Sequence, residues 1–191
     1  MARGTALDLG TLVHEVVAEM RWDGTDDPAA LARQRMNRQL RADEALEQHA
    51  AQLVERLLAM PVAEELAAAR ERLAEVEFLL SWPPGEQPKA ESPILHGFID
   101  MLFQDAAGDW HIVDYKTNRI TSDQVPATAA GYEMQLLLYA LAAEQTFGIA
   151  PKSLRLTFLV PGIEHTFAWN GENRTRAIAR ITTALNEAFA D

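Results

Sequence analysis

Two opposite charges lie within an apolar segment near the middle of the chain, and they restrict its folding more than any other feature. The segment 112–118 reads Ile-Val-Asp-Tyr-Lys-Thr-Asn and is predicted to form a strand carrying Asp114 and Lys116. Side chains alternate across a strand, so both charges point to one face. Burying them is costly unless a partner compensates. We consider two interpretations: a salt bridge at a strand end, or a divalent metal beside Asp114 with Lys116 facing a substrate anion.

The residues before this strand predict a hairpin whose register can be derived from the sequence. Strands at 94–104 and 110–116 flank the loop 105–109, whose centre is residue 107. If the hairpin is symmetric, Asp100 and Asp114 face each other with their Cβ atoms roughly 4.5–5.5 Å apart. Two carboxylates at that distance repel, and a divalent cation between them is the usual resolution. The alternative for Asp100 is a hydrogen-bonded aspartate of the core.

The pattern along the rest of the chain predicts an α/β fold. Apolar residues at three- and four-residue spacing, and Ala-, Leu-, Glu- and Arg-rich composition, predict helices at 5–21, 29–41, 43–59, 62–73, 128–147 and 172–190. Further strands are predicted at 76–82, 154–160 and 165–169. This order favours a single domain over 1–191, with a helical part at 1–73 and an α/β core at 74–191. The core is expected to hold a mixed sheet of about five strands flanked by helices.

Composition excludes several classes of protein and site. The chain has no cysteine, which excludes disulfides, cysteine zinc sites and an iron–sulfur cluster, and no phosphate-binding loop, which argues against a nucleotide. No apolar run reaches 18 residues and no signal peptide is recognisable, so we expect no membrane contact and a cytoplasmic location. The net charge of −11 argues against binding nucleic acid by overall attraction, although not against a local basic channel.

Four short motifs occur in a fixed order along the chain. They are Gly10-Thr11-x-x-His14, Gly97-Phe98-Ile99-Asp100, Val113-Asp114-Tyr115-Lys116-Thr117-Asn118 and Tyr132-x-x-Gln135-x-x-x-Tyr139. Together they resemble the RecB-like branch of the PD-(D/E)XK nuclease superfamily, in particular the C-terminal nuclease domains of helicase–nucleases. The resemblance implies a restriction-endonuclease-like core and phosphodiester hydrolysis.

The resemblance also implies roles for individual residues. The metal ligands would be the side chains of His14, Asp100 and Asp114 and the backbone carbonyl of Tyr115. The catalytic group would comprise Asp100, Asp114, Lys116 and Gln135, with Lys116 acting on the attacking water and on the charge of the scissile phosphate. Carboxylate and carbonyl oxygens suit Mg²⁺ or Mn²⁺, and an imidazole shifts the preference toward Mn²⁺.

Other polar residues are candidates for the same site. Glu77 lies in the strand before the hairpin and is a candidate extra acid, the alternative being an exposed strand residue. Tyr132, Gln135 and Tyr139 share one helical face, and the resemblance places that face beside Lys116 or DNA. For the two tyrosines, core packing is the alternative. Three residues after the catalytic strand are candidates for DNA contacts, the alternative being a solvated loop: Thr117, Asn118 and Arg119.

We therefore expect a Mg²⁺- or Mn²⁺-dependent deoxyribonuclease acting on single-stranded or end-containing DNA in double-strand break repair or end processing. A helicase motor is the expected partner, in cis or in trans, because the chain resembles either a domain of a larger helicase–nuclease or a free-standing relative. A second hypothesis is a nuclease-dead DNA-binding or scaffolding module. A third is an unrelated α/β metal-binding protein, which would place Asp100 far from Asp114.

Overall fold

Four helices form the first part of the chain. The computed structural model describes residues 3–38, 43–87 and 89–188. The helices are α1 (Arg3–Glu19), α2 (Pro28–Arg38), α3 (Glu44–Leu58) and α4 (Pro61–Ala68). Proline begins α2 and α4, where its missing N–H costs no helical hydrogen bond. Asp43 caps α3 by accepting a hydrogen bond from the backbone N–H of Leu46, at 3.0 Å.

A mixed five-stranded sheet follows, as expected. Its strands are β1 (Glu71–Ser81), β2 (Ile94–Gln104), β3 (Trp110–Lys116), β4 (Pro151–Phe158) and β5 (Ile163–Ala168), and their spatial order is the chain order. All neighbours are antiparallel except β3 and β4, which are parallel. A parallel connection requires a crossover, and here it contains a short 3₁₀ helix (Ser122–Gln124) and helix α5 (Val125–Phe147). Helix α6 (Gly171–Ala188) closes the fold.

The sheet is covered on both faces by apolar layers. On one face Met101, Phe103 and Val113 pack in a core with the helices α1 to α4. On the other face Leu102 and Ile112 pack in a core with α5 and α6. The centre of β3 is therefore buried on both sides, which makes the charged residue Asp114 within it exceptional. Within the described ranges, no helix is long and apolar enough to cross a membrane.

Some predicted boundaries differ from the observed ones. The helix predicted at 62–73 ends at Ala68, and the sheet begins at Glu71. Arg70 N–H donates to the Gln104 carbonyl and Glu71 pairs with Gln104, so pairing with β2 overrides the helical propensity of these residues. Strand β4 likewise starts at Pro151, three residues before its predicted start. The predicted helical residues 39–41 and 189–190 lie outside the described ranges.

Candidate active site

Asp100 and Asp114 come directly after the last pair of the β2–β3 ladder. The ladder runs from Gln104 opposite Trp110 to Met101 opposite Val113, in the register that the sequence predicts, and Asp100 and Asp114 are the next residues of the two strands. Asp100 Oδ2 accepts a hydrogen bond from the backbone N–H of Tyr115, at 2.9 Å. This bond fixes one carboxylate beside the end of β3, next to the other.

Helix α1 brings His14 to the same place. His14 Nε2 donates to the carbonyl oxygen of Tyr115, at 2.9 Å. Its Nδ1 atom lies 3.5 Å from Asp100 Oδ2 and 3.8 Å from Glu75 Oε1. A β-carbon on Gly10, one turn earlier, would lie 3.4 Å from the Thr117 hydroxyl oxygen, so α1 is in van der Waals contact with the segment after β3.

Glu75 completes a group of potential metal ligands that the sequence did not identify. Ligand atoms of His14, Glu75 and Asp100 all lie within 4.8 Å of one another. Two carboxylate oxygens and an imidazole nitrogen at such distances can hold a divalent ion. The carbonyl oxygen of Tyr115 lies next to this group, because it accepts the hydrogen bond from His14.

An unusual backbone conformation accompanies the position of Glu75. Its φ of +50° lies in the left-handed region, which costs a non-glycine residue about 1–3 kcal/mol and is concentrated at functional sites. The alternation of β1 reverses here, because Ala74 packs toward the helices α1 to α4 whereas Val76 packs toward α5. The alternation of β2 reverses at the matching position, Asp100, because Ile99 packs toward α5 whereas Met101 packs toward the helices α1 to α4. The matched reversals keep the strands in register.

The structure does not bring Glu77 to this group, which corrects the prediction of Glu77 as the extra acid. Glu77 lies opposite Phe98 in the ladder, and its Oε1 atom is 2.9 Å from His96 Nε2 on the exposed surface. The nearer acid in β1 is Glu75. The sequence carries no local signal for Glu75, because the residues before it favour a helix and the long β1–β2 connection does not fix a register.

Asp114 is buried, and neighbouring groups compensate its negative charge only in part. Lys116 Nζ lies 2.6 Å from Asp114 Oδ2, so the salt bridge considered from the sequence is present. Neither carboxylate oxygen, however, has a partner of regular hydrogen-bond geometry, and the side chain is 0% exposed. The single contact with Lys116 does not meet the usual requirement of a buried carboxylate, which can accept several hydrogen bonds. The Asp114 oxygens therefore have capacity for a further cation.

Helix α5 holds Lys116 from the other side. Lys116 Nζ donates to Gln135 Oε1 at 3.0 Å and lies 4.3 Å from the centre of the Tyr132 ring. Gln135 Nε2 in turn donates to the Tyr139 hydroxyl at 2.7 Å. The hydroxyl of Tyr132 donates to Asn118 Oδ1, at 3.3 Å. The polar face expected on this helix thus lies against the lysine.

The acidic groups of the site carry raised pKa values. Burial, reinforced by the charge of Asp114, raises the pKa of Asp100 to about 7. Burial also raises the pKa of Asp114 and of Glu75. Crowded, desolvated carboxylates of this kind gain stability when a cation binds between them.

Positive charge lies beside the end of β3. Burial lowers the pKa of His49 on α3, and the charges of Arg119 and Arg56 lower it further. Arg56 Nη1 donates to the Val160 carbonyl at 2.9 Å, in the segment that follows β4. Of the three residues predicted to contact DNA, Thr117 lies against Gly10, Asn118 is bonded to Tyr132, and Arg119 is exposed in this cationic region.

A family model described as the PD-(D/E)XK nuclease superfamily matches residues 2–189. The chain belongs to this superfamily. The resemblance to its RecB-like branch is confirmed by curated relatives that are named as subunits of an ATP-dependent helicase/nuclease. Membership also excludes the hypothesis of an unrelated α/β metal-binding protein.

Two of these relatives show the extent of the match. The protein from Carboxydothermus hydrogenoformans is 30% identical over 161 residues, covering 79% of this chain and 14% of the relative. The protein from Heliobacterium modesticaldum is 30% identical over 176 residues, covering 85% of this chain and 12% of the relative. The chain thus spans 12–14% of the length of these PD-(D/E)XK relatives.

A solved structure supports the fold. The crystal structure of a proposed exonuclease from Eubacterium rectale superposes with a TM-score of 0.56 at 10% identity, covering 98% of this chain and 67% of that protein. At this identity the likeness concerns the fold alone. The restriction-endonuclease-like fold expected of the sequence is confirmed.

Proposed function

We propose that this PD-(D/E)XK protein is a divalent-metal-dependent deoxyribonuclease that hydrolyses phosphodiester bonds. The observation that carries the proposal is the convergence of His14, Glu75 and Asp100 beside the buried, incompletely compensated Asp114. Such an arrangement costs folding stability without a cation, so a structural role alone gives no reason for it.

The donor set fits Mg²⁺ or Mn²⁺. We assign His14, Asp100, Asp114 and the Tyr115 carbonyl as the residues that would hold the ion, and add Glu75 to them. Oxygen donors with one imidazole suit both ions, and the imidazole favours Mn²⁺. When bound, a divalent ion supplies Lewis-acid stabilisation of negative charge on the phosphoryl oxygens.

The chain's own residues would position and neutralise the substrate. Lys116 is the proposed catalytic lysine, since its ammonium adjoins the carboxylate group and is held by Gln135 and the Tyr132 ring. An ammonium fixed in this way can orient an attacking water and offset charge on the scissile phosphate without reorganising. Gln135 and Tyr139 are proposed positioning residues for that lysine.

We favour an enzyme over a nuclease-dead module because the proposed machinery is complete. The acids, the histidine, the lysine and its glutamine partner are all present: His14 contacts Asp100, and Lys116 contacts both Asp114 and Gln135. Loss of one such member is the usual mark of an inactive module. We further propose that the protein works with a helicase motor on DNA ends during break repair, since the curated relatives are named as helicase/nuclease subunits.

The test is cleavage of labelled single-stranded and linear DNA with Mg²⁺ or Mn²⁺. Wild type is expected to cleave, whereas Asp114→Ala and Lys116→Ala are expected to lose cleavage. Circular dichroism of both variants controls for folding. Robust cleavage by both folded variants would contradict the assignment, and an inactive wild type that binds DNA would favour the nuclease-dead module.

A further inference from the structure

One face of the outer half of the β1–β2 hairpin is bare among the residues that the structure describes. One side of it packs firmly toward α5, where Phe78 and Leu80 are buried. A β-carbon on Gly97 would lie 2.8 Å from the Phe78 ring, so this packing is close. On the opposite side the side chains of Phe98 and Ile94 are 43% and 67% exposed. The exposed side chains therefore stand on a rigid support.

An aromatic pair lies on this bare face beside the candidate metal group. The rings of His96 and Phe98 are 5.4 Å apart and edge-to-face. Phe98 is two residues from Asp100 along β2, a distance of about 7 Å at the rise of a strand. By the same rise, Ile94 lies about 20 Å from Asp100. The aromatic part of the face is the part that adjoins the site.

We propose that Phe98, with His96 beside it, is a stacking surface for a base of single-stranded DNA next to the scissile phosphate. The inference rests on the proposed nuclease function and adds a substrate preference to it. Every nucleobase can stack on an aromatic ring, whereas the bases of a duplex are already stacked and paired. The ring therefore selects for single strands.

The charge nearest the ring favours a base over a phosphate there, because the carboxylate of Glu77 lies opposite Phe98 and is 63% exposed. Lys116, by contrast, ends β3 beside Asp114, and Arg119 follows three residues later. Phe98 lies in the outer half of the β1–β2 hairpin. A strand crossing the site would have its phosphates near the cations and a base on the ring. A protein partner on the same face would instead depend on the more exposed aliphatic residues Leu79 and Ile94 as much as on Phe98.

The test is binding of a fluorescein-labelled oligothymidylate, followed by anisotropy in Ca²⁺, with an otherwise identical abasic strand as the second probe. Phe98→Ala is expected to weaken binding of oligothymidylate by about 5- to 150-fold, the loss typical of one base–aromatic stack. Phe98→Trp should retain the affinity, because an indole also stacks. Ile94→Ala, the matched change on the same face, should leave it unaltered. The abasic strand should bind wild type and Phe98→Ala equally.

Three outcomes would overturn the proposal. They are an unchanged affinity in Phe98→Ala, an equal loss with the abasic strand, and an equal loss in Ile94→Ala, the last of which would indicate a protein-binding face. Cleavage with Mn²⁺ is measured on the same samples. If wild type cleaves DNA while Phe98→Ala binds normally, stacking fails and the nuclease function stands. If wild type neither binds nor cleaves DNA, the proposed function fails as well.

Discussion

Replacing Asp100 with asparagine is expected to stabilise the metal-free protein, and to do so more strongly as the pH rises. Burial, with the charge of Asp114, raises the pKa of Asp100 from 3.8 to about 7. The carboxyl therefore loses its proton near pH 4 in the unfolded chain but keeps it to about pH 7 in the folded protein. Between these values the folded state binds more protons, so the contribution of Asp100 to stability decreases as the pH rises.

The size of the effect follows from the shift in pKa. Relative to a neutral side chain, Asp100 lowers the free energy of unfolding by about 2 kcal/mol at pH 5 and about 4 kcal/mol at pH 8. Asparagine carries no charge to desolvate, and its oxygen can still accept the hydrogen bond from the N–H of Tyr115. The gain in stability from Asp100→Asn should therefore grow by about 2–3 kcal/mol between pH 5 and pH 8.

The assay is urea denaturation in the presence of a chelator, at several pH values across this range. The control is Glu77→Gln, which makes the same carboxyl-to-amide change at an exposed position of the same hairpin. The free energy of unfolding of Glu77→Gln should differ little from that of wild type at every pH. A gain from Asp100→Asn that is constant or shrinks as the pH rises would refute the argument from desolvation, as would an equal slope in the control.

Two further predictions concern Glu75 and Gln135. Glu75→Gln should weaken Mn²⁺ binding at least tenfold in calorimetry, because a metal ligand is lost. The control Glu77→Gln should leave the Mn²⁺ affinity unchanged. Equal affinities in the two variants would show that Glu75 is not a ligand. Gln135→Ala should lower the single-turnover cleavage rate by about 10- to 100-fold with unchanged Mn²⁺ affinity, because the catalytic lysine loses the acceptor that positions it. A parallel loss of metal affinity would instead indicate a collapsed site.

Much of the fold and part of the site could be predicted from the sequence. The β2–β3 hairpin has a five-residue loop between regular strands, so counting from its centre predicts the observed register, with Gln104 opposite Trp110 and Met101 opposite Val113. The order of strands and the crossover helix also followed from hydrophobic patterns and turn residues. These features depend on local periodicity, which a sequence displays directly.

Other parts of the site could not be predicted from the sequence, because they depend on tertiary structure. Glu75 was missed because a left-handed residue reverses the alternation of β1, and no local pattern announces such a reversal. The contact between Lys116 and Gln135 joins a strand to a helix along the crossover, and it was anticipated from the family resemblance rather than from spacing.

The most direct test of the metal site is the anomalous scattering of Mn²⁺ in crystals of the wild-type protein grown with the ion. The account predicts a peak bordered by His14, Glu75, Asp100 and Asp114, and none at that position in Asp114→Ala. A peak elsewhere, or a peak that persists in the folded variant, would contradict the account.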